Sequence, residues 1–285
     1  MPAPAGYGAC LKKVSLIYFG SEAKLSQHET YVQLPVSLRK PSMLFLNFFP
    51  LPWKLEQKWY GRSIIEAHHQ ARVHLISHMI PHGRSILDLG GGDAVQCCGA
   101  LLAMGYAKEP ERLHIIDLPP RDRIHDPTTL GEINELQVGP TKVQYDYRSM
   151  ADLEHLPDQS FDLIWMGQTI EHITSEDLLK VLNHSRRVLT KEGRFCLDTP
   201  NRKITKLLDP KNYIHPDHKI EYEWQELSDL IESNGFVLEV KKAITPLPLS
   251  LESGLMHRLE FLTAPMIGDE PENGFSFYLQ FKKVD

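Results

Sequence analysis

The stretch SILDLGGGDA, residues 85–94, decides the fold of this chain. A short apolar strand runs directly into a turn with almost no side chains, so the backbone can touch a ligand there. The pattern is acid-x-Gly-x-Gly-x-small, formed by Asp88, Gly90, Gly92 and Ala94. A helical pattern over residues 95–104 follows at once. The stretch therefore predicts a strand, a turn and a helix that together bind a nucleotide.

The same turn disfavours a nicotinamide dinucleotide site. The fingerprint G-x-G-x-x-G/A, counted from Gly90, needs glycine or alanine at position 95, where this chain has Val95. A glycine-rich turn alone is weak evidence, because Gly91 and Gly92 could serve only to make the turn tight. The segments after the turn have to decide between these interpretations.

Two later segments extend the pattern. Residues 112–117 form a buried-strand pattern ending in Asp117, about two dozen residues beyond the turn, where an acid in such folds accepts hydrogen bonds from a ribose. Residues 156–166 carry Leu-Pro, an acid and Ser-Phe-Asp before an apolar run. Together with residues 85–94, these segments resemble class I, Rossmann-like S-adenosylmethionine (SAM) dependent methyltransferases. The resemblance implies that SAM is the cofactor and that Asp117 binds its ribose.

Strand patterns alternate with helical patterns along the chain, as this resemblance implies. Strands are predicted at 85–89, 113–117, 142–145, 163–166, 194–198, 236–244 and 275–283, and helices at 59–80, 176–189 and 224–234. This α/β alternation predicts a mostly parallel sheet. In the family the last strand is antiparallel and lies between the fifth and the sixth, so we expect a Rossmann-like sheet of seven strands.

Additions to this fold are expected on the substrate side. Residues 1–58 are predicted to be an N-terminal accessory or cap segment, and residues 59–285 the methyltransferase domain. Within that domain 200–222 and 245–273 are insertions, the second a lid or substrate wall, because long loops in compact domains are usually functional. The apolar stretch 42–53 is too short and too interrupted by proline to cross a bilayer. It is expected to be a lid, a substrate wall or a dimer contact, which leaves a homodimer open.

Composition narrows the function classes further. A chain of 285 residues with 42% apolar and 24% charged residues is ordinary for a globular protein. The net charge of -6 and the lack of a block of lysine and arginine argue against a nucleic-acid partner. No secretory pattern or long apolar run is present, and the four cysteines lack disulfide or metal spacing. We expect a cytoplasmic protein, without membrane contact, that acts on a small-molecule acceptor.

Further donor contacts are expected at the carboxyl edge of the sheet. In the resembled family the loop after the third strand binds adenine, and here that loop is 146–152. Met150, through its backbone and apolar contact, and Asp152, through the exocyclic amine, are the candidates. Gln168, just beyond the fourth strand, is the remaining cofactor-binding candidate.

Methyl transfer from a sulfonium mainly requires positioning of the acceptor and removal of its proton. A hydroxyl acceptor therefore needs a base. His172, in the Glu171–His172 pair after the fourth strand, is the first candidate, although this pair could equally cap or pack the next helix. His215 and His218, in segment 214–222, are the other candidate bases.

Segment 214–222 leaves a second interpretation open. Its polar residues His215, Asp217, His218 and Glu221 could hold a divalent metal ion, although a hydrogen-bonded loop is favoured over a metal site. Together with the acid-histidine pair and the run Asp-Thr-Pro-Asn-Arg at 198–202, this segment resembles bacterial methyltransferases that act on sugar and natural-product hydroxyls. We expect O-methylation of such a small molecule. N- or C-methylation of a metabolite, or a non-catalytic SAM-binding subunit, are the alternatives.

Overall fold

The protein is described by a computed structural model over residues 51–92, 98–122, 133–256 and 258–284, without the side chains of 51–63, 249–250, 256 and 258–259. The predicted cap up to residue 50 and Val95 lie outside the described residues. The described residues contain eleven β-strands. In chain order they are β1 Leu51–Pro52, β2 Ser85–Leu89, β3 Arg112–Asp117, β4 Glu135–Val138, β5 Thr141–Tyr147, β6 Phe161–Gly167, β7 Leu189–Pro200, β8 Phe236–Pro246, β9 Leu255–Met256, β10 Ile267–Gly268 and β11 Gly274–Lys283.

Nine of these strands form one central sheet in the order β10-β8-β11-β7-β6-β2-β3-β5-β4. The neighbours among β5, β3, β2, β6 and β7 pair in parallel. Strand β11 is antiparallel to both β7 and β8 and lies between them. The prediction of a Rossmann-like, mostly parallel α/β sheet with an inserted antiparallel last strand is therefore confirmed.

The predicted count of seven strands was wrong, because a short antiparallel strand is added at each edge. At one edge β4 forms a hairpin with β5 around Gly139, whose φ is 57°. Its residues alternate only between exposed and half-buried, so the sequence carries little apolar signal there. At the other edge β10, two residues long, pairs with β8 from inside the 245–273 insertion. Strands β1 and β9 pair separately.

Six α-helices cover the sheet within the described residues. They are α1 Trp53–His78, α2 Ala100–Ala103, α3 Ser175–Val188, α4 Arg202–Leu208, α5 Trp224–Ser233 and α6 Arg258–Thr263. The helix predicted over 95–104 is shorter in its described part, because Gly99 has a φ of 83° and cannot be helical. None of the described helices combines the length and apolar character needed to span a bilayer.

The core lies on both faces of the sheet. Successive side chains of a strand point to opposite faces, and β6 shows this directly: Leu163 and Trp165 join the cluster under α1, whereas Ile164 and Met166 join the one under α3 and α5. Cys98 and Cys196 are buried in the core, as expected. Apolar clusters therefore pack against the sheet from both sides.

Candidate functional site

The glycine turn after β2 touches the segment after β6 at the carboxyl edge of the sheet. Gly90 has a φ of 78°, and its amide donates to the Ile116 carbonyl at 2.7 Å. A Cβ on Gly90 would lie 2.4 Å from Thr169 Cγ2, so no larger residue fits. Thr169 Oγ1 in turn donates to the Leu89 carbonyl at 3.1 Å. The segment that begins at Gln168 is thus seated directly on the turn.

Asp117, the predicted ribose ligand, closes this turn from the neighbouring strand. Its Oδ2 accepts from the Gly92 amide at 2.8 Å, and its Oδ1 accepts from the Leu118 amide at 2.7 Å. A carboxylate can accept about four hydrogen bonds. The two amides therefore orient the Asp117 carboxylate at the turn.

Asp88 lies beneath the turn and is only 1% exposed. A Cβ on Gly91 would lie 2.0 Å from Asp88 Oδ2, so the carboxyl contacts the turn backbone. Burial, reinforced by the nearby charge of Asp117, raises the pKa of Asp88 to about 8, against the lowering effects of the Leu101 amide and Arg72. Within the described chain neither carboxyl oxygen accepts a hydrogen bond of ordinary geometry.

The two candidates for adenine contact occupy different surroundings. Met150 is half-buried, and its Cε would lie 3.3 Å from a Cβ on Gly90, which places its side chain beside the turn. Asp152 is exposed, and its amide donates to the Ser149 carbonyl at 3.0 Å. The structure brings Met150 to the glycine turn by direct packing and gives no such contact for Asp152.

Gln168 is held by an ion pair that sequence reasoning missed. Arg72 Nε lies 2.5 Å from Asp198 Oδ2, and Arg72 Nη2 lies 3.2 Å from Oδ1. Gln168 Nε2 donates to the same Oδ2 at 2.9 Å, and the Gln168 amide donates to the Asp198 carbonyl at 2.8 Å. Arg72 also lowers the pKa of Asp88 through its charge. Arg72 therefore stabilises the ionised form of Asp88 beneath the glycine turn and also binds Asp198 near the end of β7.

The three candidate bases lie together beyond this segment. The His172 and His218 rings are 4.9 Å apart, edge to face at 81°. His215 lies 5.4 Å from His218 and 6.4 Å from His172, between ring centroids. The Lys219 amide donates to the Glu171 carbonyl at 2.8 Å and so ties the two segments together. The loop before α5 and the turn after β6 thus form one histidine cluster, His172, His215 and His218.

Glu221 anchors one side of the histidine cluster. Its Oε1 lies 2.7 Å from His218 Nδ1 and accepts from the Ile214 amide at 2.8 Å, while its Oε2 is bound by Thr205 and Arg202. Although burial acts to raise it, the hydrogen bonds from His218, Thr205 and the Ile214 amide lower the pKa of Glu221.

Glu171 lies on the other side of the cluster and is buried. Burial raises the pKa of Glu171 to about 7, although its own backbone amide, His218 and Thr199 act to lower it. Thr199 Oγ1 donates to Glu171 Oε2 at 2.9 Å. Glu171 therefore faces the cluster from the floor of the site, a position that the pair Glu171–His172 alone did not specify.

The metal set considered from the sequence does not converge as a whole. His215 Nδ1 lies 3.6 Å from Asp217 Oδ2 at the surface, while Glu221 is engaged with His218 and its other donors. The groups whose ligand atoms do converge are Glu171, His172 and His218, all within 4.8 Å of one another. Glu171 comes from the other segment of the chain, so the spacing within 214–222 could not reveal it.

Comparison with known proteins identifies one similar sequence family and several similar folds. Residues 87–197 match the family model for a methyltransferase domain. Among curated proteins no sequence matches this chain. A SAM-dependent methyltransferase of Thermotoga maritima, described as a possible histamine N-methyltransferase, is 16% identical and superimposes with a TM-score of 0.51 over 85% of this chain and 98% of its own.

Two further solved structures share the fold. A methyltransferase in complex with the Haloferax volcanii Trm112 methyltransferase activator is 15% identical, with a TM-score of 0.51 over 81% of this chain and 96% of its own. The small RNA methyltransferase HEN1 is 15% identical, with a TM-score of 0.50 over 76% of this chain and 25% of its own. Residues 87–197 are therefore similar to a methyltransferase domain, and the described chain shares the fold of these three solved structures.

Proposed function

We propose that this protein is a SAM-dependent O-methyltransferase that acts on a hydroxyl of a small molecule such as a sugar or a glycosylated natural product. The observation that carries the proposal is the histidine cluster. His172 comes shortly after Thr169 in the sequence, and Thr169 packs on the glycine turn. One short segment therefore connects the glycine turn with the histidine cluster. The comparisons support SAM-dependent methyltransferase activity and leave the acceptor undetermined.

The residues around the turn fit SAM. Gly90 and Gly91 let Thr169 and Asp88 pack directly against the backbone of the turn, where a side chain would clash. Asp117 is oriented by two amides to accept from ribose hydroxyls, and Asp88 offers a buried carboxyl at the turn. When bound, SAM supplies an electrophilic methyl group on a sulfonium.

The chain contributes position and a proton acceptor. An alcohol is a poor nucleophile at neutral pH, and a positioned general base is worth about a hundred to ten thousand fold in rate. Imidazole is the side chain whose protonation changes most readily near neutral pH. In this proposal, one imidazole among His172, His215 and His218 removes the proton from the acceptor hydroxyl. The hydrogen bonds among Arg72, Asp198 and Gln168 hold the neighbouring carboxyl edge of the sheet in place.

The acceptor class rests on charge and on the insertions. A net charge of -6 disfavours a polyanionic acceptor such as RNA. The insertions 200–222 and 245–273 are proposed to form the acceptor side of the domain. The structural neighbours include a possible histamine N-methyltransferase and a small RNA methyltransferase, so amines and RNA are the alternatives to test.

An acceptor screen with methyl-labelled SAM tests the proposal. Sugars, glycosides, amines and RNA are offered in parallel, and SAM affinity is measured by calorimetry. We expect label on a hydroxyl oxygen of a sugar or glycoside. Label on nitrogen, on carbon or on RNA contradicts the acceptor assignment, and absence of SAM binding contradicts the activity as a whole.

Single alanine variants of His172, His215 and His218 then identify the base. The base variant should lose about a hundred to ten thousand fold in turnover with unchanged SAM affinity. His82→Ala, at an exposed histidine away from the cluster, is the matched control. Three variants with near-normal turnover would show that no histidine serves as base.

A further inference from the structure

Glu171, His172 and His218 bring three ligand atoms of metal-binding type to one place. One nitrogen of each imidazole and one carboxylate oxygen lie within 4.8 Å of one another. Bonds of about 2.1 Å to a central ion require these three ligand atoms to move closer together. The groups come from the turn after β6 and the loop before α5, which backbone hydrogen bonds from Lys219 and Ile220 to the Glu171 carbonyl hold together.

The surroundings of His218 support a ligand role for its second nitrogen. His218 Nδ1 lies 2.7 Å from Glu221 Oε1, and the ring is almost fully buried. A histidine that donates from Nδ1 to a carboxylate carries its lone pair on Nε2, which is the arrangement that second-shell carboxylates impose on metal-binding histidines. Glu221 is itself fixed by Thr205, Arg202 and the Ile214 amide.

Glu171 has an equivalent support. Thr199 Oγ1 donates to Glu171 Oε2 at 2.9 Å, which orients the carboxylate beside the two rings. A buried carboxylate facing two imidazoles is costly unless it is paired. A cation between the three groups supplies that pairing.

We propose that Glu171, His172 and His218 bind one divalent first-row metal ion of the Mn²⁺ or Zn²⁺ kind. Two imidazoles and one carboxylate suit such ions, whereas Mg²⁺ and Ca²⁺ prefer oxygen ligands throughout. Three protein ligands leave coordination positions open, as in catalytic metal sites. The proposal that this site binds an ion does not depend on the proposed function, whereas the catalytic role of the ion rests on it.

In that catalytic role, the acceptor hydroxyl binds the ion at an open coordination position, and the ion makes the hydroxyl more acidic. The hydroxyl proton passes to His215, the member of the histidine cluster that is not a ligand. The new O–CH₃ bond forms as the S–CH₃ bond of SAM breaks, with the S–C electron pair leaving on sulfur. The products are a methyl ether, S-adenosylhomocysteine and the proton on His215, so no oxidant or reductant is needed.

Ion binding is measured on the full chain after chelator treatment, without SAM or acceptor. Mn²⁺ is followed by electron paramagnetic resonance, and Zn²⁺ and Mg²⁺ by calorimetry. We expect one Mn²⁺ or Zn²⁺ per chain, bound at least about tenfold more tightly than Mg²⁺. A chain that takes up neither Mn²⁺ nor Zn²⁺ at millimolar concentration, or that prefers Mg²⁺, overturns the proposal.

Variants place the ion at this site. His218→Ala and His172→Ala should each weaken ion binding by more than about a hundredfold, and Glu221→Ala by about ten- to a hundredfold as a second-shell change. The control His82→Ala should bind as the unchanged chain does. Thermal unfolding and SAM affinity verify that each variant folds, and His172→Ala, at a less buried position, carries the test if His218→Ala does not fold. Unchanged ion affinity in a folded His172→Ala variant overturns the site.

Turnover separates this proposal from the proposed function. Chelation should abolish methyl transfer, and added Mn²⁺ or Zn²⁺ should restore it. Turnover that survives chelation overturns the catalytic role of the ion and leaves the O-methyltransferase assignment intact. Failure to bind SAM contradicts the O-methyltransferase assignment. The measured ion binding still tests the metal site in that case.

Discussion

At the scale of single residues, two glycines and two acids determine how the donor turn is built. Gly90 and Gly91 are required because a Cβ at either would overlap Thr169 or Asp88. The acids then have opposite environments. Asp117 accepts two amide hydrogen bonds at the rim, while Asp88 lies in the interior beneath the turn. This division predicts different consequences when each is changed.

Asp117→Ala should weaken SAM binding by about 1 to 3 kcal/mol, the range for leaving buried polar partners without an acceptor. The variant removes the acceptor of the Gly92 and Leu118 amides and the proposed ribose contact together. Asp122→Ala, at an exposed acid after β3, is the control and should leave SAM affinity unchanged. Calorimetric titration with SAM measures both. Equal affinities in the two variants would contradict the assignment of Asp117.

Asp88 should make the stability of the protein depend on pH. Burial raises its pKa from the ordinary 3.8 to about 8, so the folded chain keeps a proton that the unfolded chain releases near pH 4. The contribution of Asp88 is therefore complete below about pH 4 and is lost as the pH rises to about 8. Asp88→Asn, which keeps a neutral polar side chain, should remove this part of the dependence.

Urea unfolding at several pH values between 5 and 8, without SAM, measures that effect. The free energy of unfolding of the unchanged chain should fall with rising pH more steeply than that of Asp88→Asn. Parallel curves for the two proteins would show that Asp88 is ionised in the folded state.

At the scale of elements, Arg72 links helix α1 to strands β6 and β7. The Asp198 carboxylate that it binds is completely buried. Arg72→Ala leaves this charge without its partner and should cost about 3 to 5 kcal/mol in unfolding free energy. Arg84→Ala breaks an exposed pair with Glu111, in which the two side chains are 70% and 68% exposed, and should cost about 0 to 1 kcal/mol.

Urea unfolding of the two arginine variants side by side checks this difference. The comparison is matched because each variant removes one guanidinium from one carboxylate. Similar losses in both would mean that the Arg72–Asp198 pair does not hold α1 against the sheet.

Strong apolar patterns predicted most of the helices and strands. The elements that they missed are defined by pairing with other parts of the chain. The apolar runs of β3 and β6 were visible because burial on two faces leaves few polar residues. Strand β4 has no fully buried residue, so only its hairpin with β5 defines it. Helix α1 was predicted from its apolar face, but no periodicity indicates which strand Arg72 will meet.

The site follows the same division. The rule that parallel strands end at one edge predicted that Asp117 and the segment from Gln168 would lie near the glycine turn, as they do. The loop carrying His218 reaches His172 only because backbone hydrogen bonds join it to the Glu171 carbonyl. Contacts of that kind depend on loop conformation, which sequence patterns do not specify.

At the scale of the whole molecule, the glycine turn lies between the central sheet and the segment that begins at Gln168. The described core clusters begin at Ile64 and enclose the sheet from both faces. The contacts described above for the glycine turn all come from residues 88–169. Donor binding should therefore be separable from whatever the N-terminal segment does for the acceptor.

A chain shortened to residues 51–285 should fold and bind SAM within about threefold of the full chain, a difference of less than 1 kcal/mol. It keeps β1, which pairs with β9, and every described contact of the glycine turn. Turnover of the acceptor should fall if the apolar stretch 42–53, which includes residues 42–50, is the lid or substrate wall expected from the sequence. Calorimetry with SAM and the labelled-methyl assay measure the two quantities on the same preparation. Full turnover in the shortened chain would assign the stretch to a dimer contact or a dispensable arm, and loss of SAM binding would place it in the donor site instead.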